Sequence, residues 1–160
     1  MALRTLRIVE DDILHKVSRP VVQINDKTRQ LLDDMLETMY HAGGIGLAAV
    51  QVGILRRLLV IDISEEGDSP LEFINPEVIS HQGSQTGWEG CLSIPGKSGL
   101  VVRPEVTVVR ATDRHGQTFE MQCEGHLAVV LNHELDHLDG ILYTQKATEM
   151  RQQGEEDEED

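Results

Sequence analysis

The sequence predicts an α+β fold. Three observations point there: two segments with helical spacing of apolar residues, several aliphatic and β-branched segments between them, and no regular alternation of strand with helix. The 160 residues suffice for one domain with a hydrophobic core of its own.

The first helix is expected over residues 25–42, NDKTRQLLDDMLETMYHA, where Leu31, Leu32, Met35, Leu36 and Met39 recur at three- and four-residue intervals. Asn25 or Asp26 can cap its start, and Gly43 and Gly44 stop it. The stretch GIGLAAVQVGI that follows is small-sided and without clear period, so other atoms can approach its backbone closely. Strands are expected in RRLLVIDIS (56–64), LEFINPEVI (71–79), LVVRPEVTVVRAT (100–112) and QTFEMQCEG (117–125). Pro76 marks a bend or an edge in the second of these. In the last, Phe119, Met121 and Cys123 share one face, and DRHG (113–116) reads as the hairpin turn before it. From Gly125 to about Asp139 the spacing is helical again, and Gly140 is a natural stop. No internal repeat is present. The domain is expected to occupy residues 1–150, with 151–160 as an acidic, disordered tail.

Aromatic residues make up only 3% of the chain, so the core must be aliphatic. The formal net charge is −14, of which the closing EEDEED supplies six. The remainder is still acidic, which argues against direct nucleic-acid binding. MALRTLRIVEDDIL lacks the apolar run of a secretory signal, and no stretch approaches the ~18 apolar residues of a membrane span. A cytoplasmic protein with no membrane partner is expected. Both cysteines, Cys91 and Cys123, are then expected to be reduced.

The chemistry is concentrated in NHELDHLDG, residues 132–140. On a helix His133 and His137 lie one above the other and can point at one ion. Glu134 is rotated about a quarter turn away, beside the ion, where a carboxylate can take a proton from an activated water. The third ligand is not the histidine of the longer H-E-x-x-H-x-x-G-x-x-H pattern, because Tyr143 stands in its place. Glu149 is the one downstream carboxylate to consider. Cys91, in WEGCLSIPG, is the best upstream donor. Cys123 competes but reads as a small buried hydrophobe. Two histidines and a thiolate leave a fourth position open, as in catalytic sites. Val129 and Val130 should face the metal side of the helix as an apolar wall, which Ile45 and Trp88 can complete; ordinary core packing explains the valines and Trp88 as well. Lys97 or Ser98 is a candidate for contact with a peptide backbone. Asp136 can orient a ligand histidine or pair with Arg103. His15, His41, His81, His115 and His126 lack ligand-like spacing and are expected on the surface or in turns.

Three stretches together, GIGLAAVQ (44–51), EGCLS (89–93) and HELDH (133–137), resemble the motifs of the peptide deformylase family, in the same order. The resemblance spans roughly residues 5–145. It implies mostly antiparallel β-sheets packed around a central metal-binding helix, and removal of the formyl group from the N-terminal formylmethionine of new polypeptides. It makes Cys91, His133 and His137 the metal ligands and Glu134 the acid/base. Gln51 and the Leu92 N–H become donors to the developing oxyanion, and Gly46 a backbone contact for substrate. The implied metal is ferrous iron, with zinc, nickel or cobalt able to substitute; the implied partners are N-formylmethionyl nascent peptides, with the ribosome a further candidate. One departure stands out: many bacterial members continue into a long C-terminal helix, where this chain turns acidic. Two other readings compete. An endopeptidase would not need Cys91 as ligand, and a non-catalytic metal-binding module would be indifferent to loss of Glu134.

Overall fold

The computed structural model describes residues 2–153. Helix α1 spans Asp26–His41. Asn25 caps it: its side chain accepts from the Thr28 N–H at 3.2 Å, while Thr28 Oγ1 accepts from the Asn25 N–H at 3.4 Å. This exchange pairs two N–H groups that the start of a helix would otherwise leave to water. At the other end Gly43 takes φ +73°. Its N–H reaches Tyr40 O, and that of Gly44 reaches Met39 O, closing the helix with a left-handed turn. Leu31, Leu32, Met35 and Met39 are buried against Leu47, Leu58, Val60 and Ile74.

Strand β1 (Gly46–Ala48), a 3₁₀ turn (Ala49–Val52) and β2 (Leu58–Ile61) follow. Then come β3 (Leu71–Gln82), β4 (Gln85–Cys91), β5 (Ile94–Arg103), β6 (Val106–Thr112) and β7 (Thr118–Glu124). Helix α2 (His126–Leu138) and a short β8 (Glu149–Gln152) complete the order. One sheet has the order β1-β2-β3-β6-β7 and the other β4-β5-β8. Every pairing between these strands is antiparallel. The fold is therefore α+β, as the sequence predicts. Helix α2 packs Ala128, Val130, Leu131, Leu135 and Leu138 into a core with Phe73, Val109, Ala111 and Cys123.

Three details sharpen or correct the sequence reading. Pro76 marks a bend inside β3, just past Ile74, where the register with β2 ends. A register shift between Ile74 and Glu77 accommodates it, with Asn75 at φ 52°. There the ladder is already open, so proline's missing N–H costs nothing. The Asn75 side chain bonds both the N–H (2.8 Å) and the C=O (2.9 Å) of Val21. Second, residues 100–112 are not one strand. At Pro104 the chain leaves the β4-β5-β8 sheet and enters the other. Third, β8 crosses the expected boundary at residue 150 and pairs with β5 through Gln152. From residue 154 onward the expected acidic tail lies outside the described residues. No helix among the described residues is long and apolar enough to cross a membrane.

Candidate metal centre and catalytic cleft

The four-residue spacing on α2 brings the His133 and His137 rings to a centroid separation of 5.0 Å. Cys91 ends β4, and a two-residue turn, Leu92–Ser93, leads into β5. That hairpin delivers the thiol to the helix: Cys91 Sγ lies 3.3 Å from His137 Nε2. One ligand atom from each of Cys91, His133 and His137 falls within 4.8 Å of the others. Among the described residues this is the one such cluster of metal-ligating side chains. Cys123 is elsewhere, fully buried in the core, where burial pushes its thiol up to about 11. Glu149 is in β8 and outside the cluster. Two imidazoles and a thiol, converging and mostly buried, fit a divalent cation with a vertex left for solvent or substrate.

A chain of charges stands behind the cluster. His133 Nδ1 is 2.9 Å from Glu89 Oε1. Because Glu89 can only accept, Nδ1 carries a proton, and Nε2 is the nitrogen that can ligate once a cation displaces its own. Arg103 donates to both Glu89 oxygens at 2.8 and 2.9 Å, and to Asp136 at 2.6 Å. Lys146 closes the row on Asp136 at 3.0 Å. Asp136 thus takes the ion pair with Arg103. Burial alone would raise the Glu89 pKa, but Arg103 and His133 hold it down at about 2. Burial likewise opposes charge on His133, yet Cys91 and Glu89 raise it to about 10; His137 is pushed well down by burial and by the charge on His133. The sequence reading missed Glu89. The available signal was its position two residues before a candidate ligand on a strand, which tends to place both on one face.

Glu134 lies against β1. A Cβ on Gly46 would come within 2.7 Å of Glu134 Oε2 and 2.9 Å of Val130 Cγ1, so this approach requires glycine. Burial raises the Glu134 pKa to about 7; His133 and Arg103 oppose the rise and Glu89 adds to it. Glu134 Oε1 is buried without a protein partner. Gln51, in the 3₁₀ turn after β1, points its amide nitrogen toward Cys91 Sγ at 3.6 Å. β1 is an edge strand, and the Asp62 N–H bonds Ile45 O at 2.9 Å. By the alternation of an antiparallel ladder, the Gly46 N–H and C=O then face away from β2, toward the cleft.

The cleft beside the cluster holds about 730 Å³. Ile45, Gly46, Trp88, Val129 and Val130 line it, together with Gln51, Leu92, Cys91, His133 and Glu134. His137 does not; it is 1% exposed. Val130 also belongs to the core, so the two readings of that residue are compatible. Lys97 and Ser98 are not in the lining. Their strand segment pairs with β8 instead, and the Ser98 side chain is buried. His126 and Gln153 line the cleft although nothing in the sequence marked them. The Arg151 guanidinium carbon sits 3.5 Å from the Trp88 ring centroid, which ties β8 to the same wall.

A sequence model described as polypeptide deformylase matches residues 3–153. The chain belongs to the peptide deformylase family. It is 54% identical to the peptide deformylase of Lachnoclostridium phytofermentans, over 99% of this chain and 100% of that one. With the Acetivibrio thermocellus peptide deformylase it shares 52% identity, over 91% of this chain and 84% of the relative. Among solved structures, the Legionella pneumophila peptide deformylase superposes with a TM-score of 0.88 at 42% identity, covering 91% of this chain and 86% of the other. The Synechococcus elongatus peptide deformylase, solved in complex with actinonin, gives 0.88 at 41% identity, covering 90% and 80%. The deformylase family comprises metal-dependent hydrolases that remove the formyl group from N-terminal formylmethionine, and the chain is an enzyme of that class.

Proposed function

We propose that this hydrolysis is carried out with Cys91, His133 and His137 as ligands of one divalent cation, Glu134 as acid/base, and Gln51 and the Leu92 N–H as oxyanion donors. The observation that carries the reading is the convergence of three ligand atoms within 4.8 Å, beside a buried carboxylate on the wall of a cleft. When bound, the cation lowers the pKa of a water and polarises a carbonyl oxygen.

Glu134 takes a proton from water as the formyl carbon is attacked. A pKa raised to about 7 by burial suits a group that must next give that proton to the departing amine. Charge develops on the formyl oxygen, where the Gln51 amide and the Leu92 N–H receive it. Removing one such donor typically costs ~10²–10³ in rate. The cleft-facing main chain of Gly46 bonds the peptide. Ile45, Trp88, Val129 and Val130 surround the methionine side chain, a flexible apolar group that such a wall fits.

Ferrous iron is the physiological metal in this reading, on the pattern of the family. The same donors suit zinc, nickel and cobalt, and the divalent affinity order favours several of these over iron. The substrates are nascent formylmethionyl chains in the cytoplasm, met at the ribosome. The catalytic domain is a single unit that includes β8.

Formate release from a formyl-Met peptide tests the activity, using protein prepared anaerobically and assayed beside elemental analysis. The reduced, iron- or nickel-loaded enzyme should release formate, and Glu134→Ala should bind metal yet lose nearly all turnover. Absence of release, or an active Glu134→Ala enzyme, overturns the reading.

A further inference from the structure

A glutamine can serve an oxyanion only if its amide is turned the right way and held there. The Gln51 side chain is buried, and its two ends are chemically distinct: Oε1 accepts, and Nε2 carries two hydrogens to donate. Oε1 takes the Ala48 N–H at 2.9 Å, which rejects the flipped amide, because two donors would then face each other. At the other end Nε2 donates to Ser93 Oγ at 3.1 Å. The same nitrogen also donates a long bond to Cys91 Sγ at 3.6 Å. Ser93 is 0% exposed and sits in the tight turn that joins β4 to β5. One Nε2 hydrogen is thus occupied by Ser93, and the second is directed toward the Cys91 side of the cleft.

We infer that Ser93 is a positioning residue for Gln51. Its hydroxyl fixes one amide hydrogen so that the other is presented to the formyl oxygen. This rests on the reading of Gln51 as an oxyanion donor. The arrangement gives the Cys91–Leu92–Ser93 hairpin three tasks within three residues: a metal ligand, a main-chain donor, and the hydroxyl that aims the side-chain donor. The Ala48 N–H is an equally necessary part, because a hydroxyl alone suits either orientation of a mobile amide, accepting from Nε2 in one and donating to Oε1 in the other. Neither Gln51 nor Ser93 titrates in the working range, so loss of the hydroxyl should change the height of a pH–rate profile and leave its shape alone.

The test is a double-mutant cycle on formyl-Met peptide hydrolysis with Ser93→Ala, Gln51→Ala and the double variant, each nickel-loaded and checked for metal content. Ser93→Ala should lower kcat by about tenfold, less than the ~10²–10³ for loss of the donor itself, with KM and metal content unchanged. In the Gln51→Ala background the same change should cost nothing more, because the two act as one unit. A second readout does not depend on turnover. In the zinc-loaded, diamagnetic protein, NMR should show the Gln51 side-chain amide protons exchanging slowly with water, and Ser93→Ala should speed that exchange severalfold. Equal rate losses in both backgrounds, or an unchanged exchange rate, overturn the positioning role. A Gln51→Ala enzyme with undiminished kcat overturns the donor reading itself, and the role of Ser93 with it.

Discussion

Removing the Glu89 carboxylate should weaken both the fold and the metal site, and the two effects can be measured apart. Glu89 accepts from His133 Nδ1 at 2.9 Å and from Arg103 at 2.8 and 2.9 Å. In Glu89→Ala the Arg103 side chain, 3% exposed, keeps only Asp136 as partner. Removing one partner from a buried ion pair costs about 3–5 kcal/mol. That is a large part of the ~5–15 kcal/mol available to a domain. For a chain of this length about 1 kcal/mol shifts the melting temperature by ~2–4 °C, so the metal-free protein should melt ~6–20 °C lower. The metal effect is separate. His133 loses the acceptor that fixes its tautomer and ring orientation, and losses of this kind lower metal affinity about 10–100-fold. Glu89→Gln should fall between. It can keep an acceptor on His133, but its NH₂ then faces an Arg103 donor, and the guanidinium has lost its anion. Calorimetry of the metal-free variants reads the first term, and nickel competition against a chelator reads the second. A metal-free Glu89→Ala protein melting within about 2 °C of the parent, or metal affinity within twofold (roughly) of the parent, would refute the argument.

Gly46→Ala places a methyl 2.7 Å from Glu134 Oε2, well inside van der Waals contact, so the carboxylate must shift. Steady-state kinetics should show kcat down by about 10–100-fold with metal retained, since small misplacements of reacting groups cost that much. Cys91→Ala should lose stoichiometric metal by elemental analysis, whereas Cys123→Ala, in the core, should keep it and lose only stability. Asp62 supplies a pH test. Its burial raises its pKa, but bonds from Ser64, Tyr40 and Ser69 outweigh this and hold it below the usual carboxylate value. A pKa depressed by folding contributes stability that is complete above the unfolded value, about 3.9, and is lost as pH falls through the folded one. The melting-temperature gap between the parent and Asp62→Asn should therefore narrow as pH drops from about 5 to about 2.5. A gap that stays constant or widens over that range would show that the Asp62 bonds do not stabilise its charge.

What the sequence disclosed, and what it hid, follow from how far apart the interacting residues lie. The helices were legible because their signals are local: Asn25 and Thr28 are three residues apart, and Gly43 follows directly on the last turn. His133 and His137 were legible for the same reason, since helix geometry alone sets their proximity. The β4-β5-β8 sheet was not. In β4, QTGWEGC, the apolar alternation that announces a strand is interrupted by Glu89 and Cys91, which turn to His133 and His137. β8 is equally mute, because EMRQ pairs through its backbone at an exposed margin and buries almost nothing. Glu89 acquires its meaning only when Arg103, fourteen positions on, lies within reach across the sheet and α2 brings His133 to the same carboxylate. A strand that gives its inward positions to a carboxylate and a thiol loses the pattern by which strands are recognised. The lack of a strand signal between residues 80 and 99 is thus itself a trace of the site: local rules fail where side chains are committed to chemistry rather than to the core.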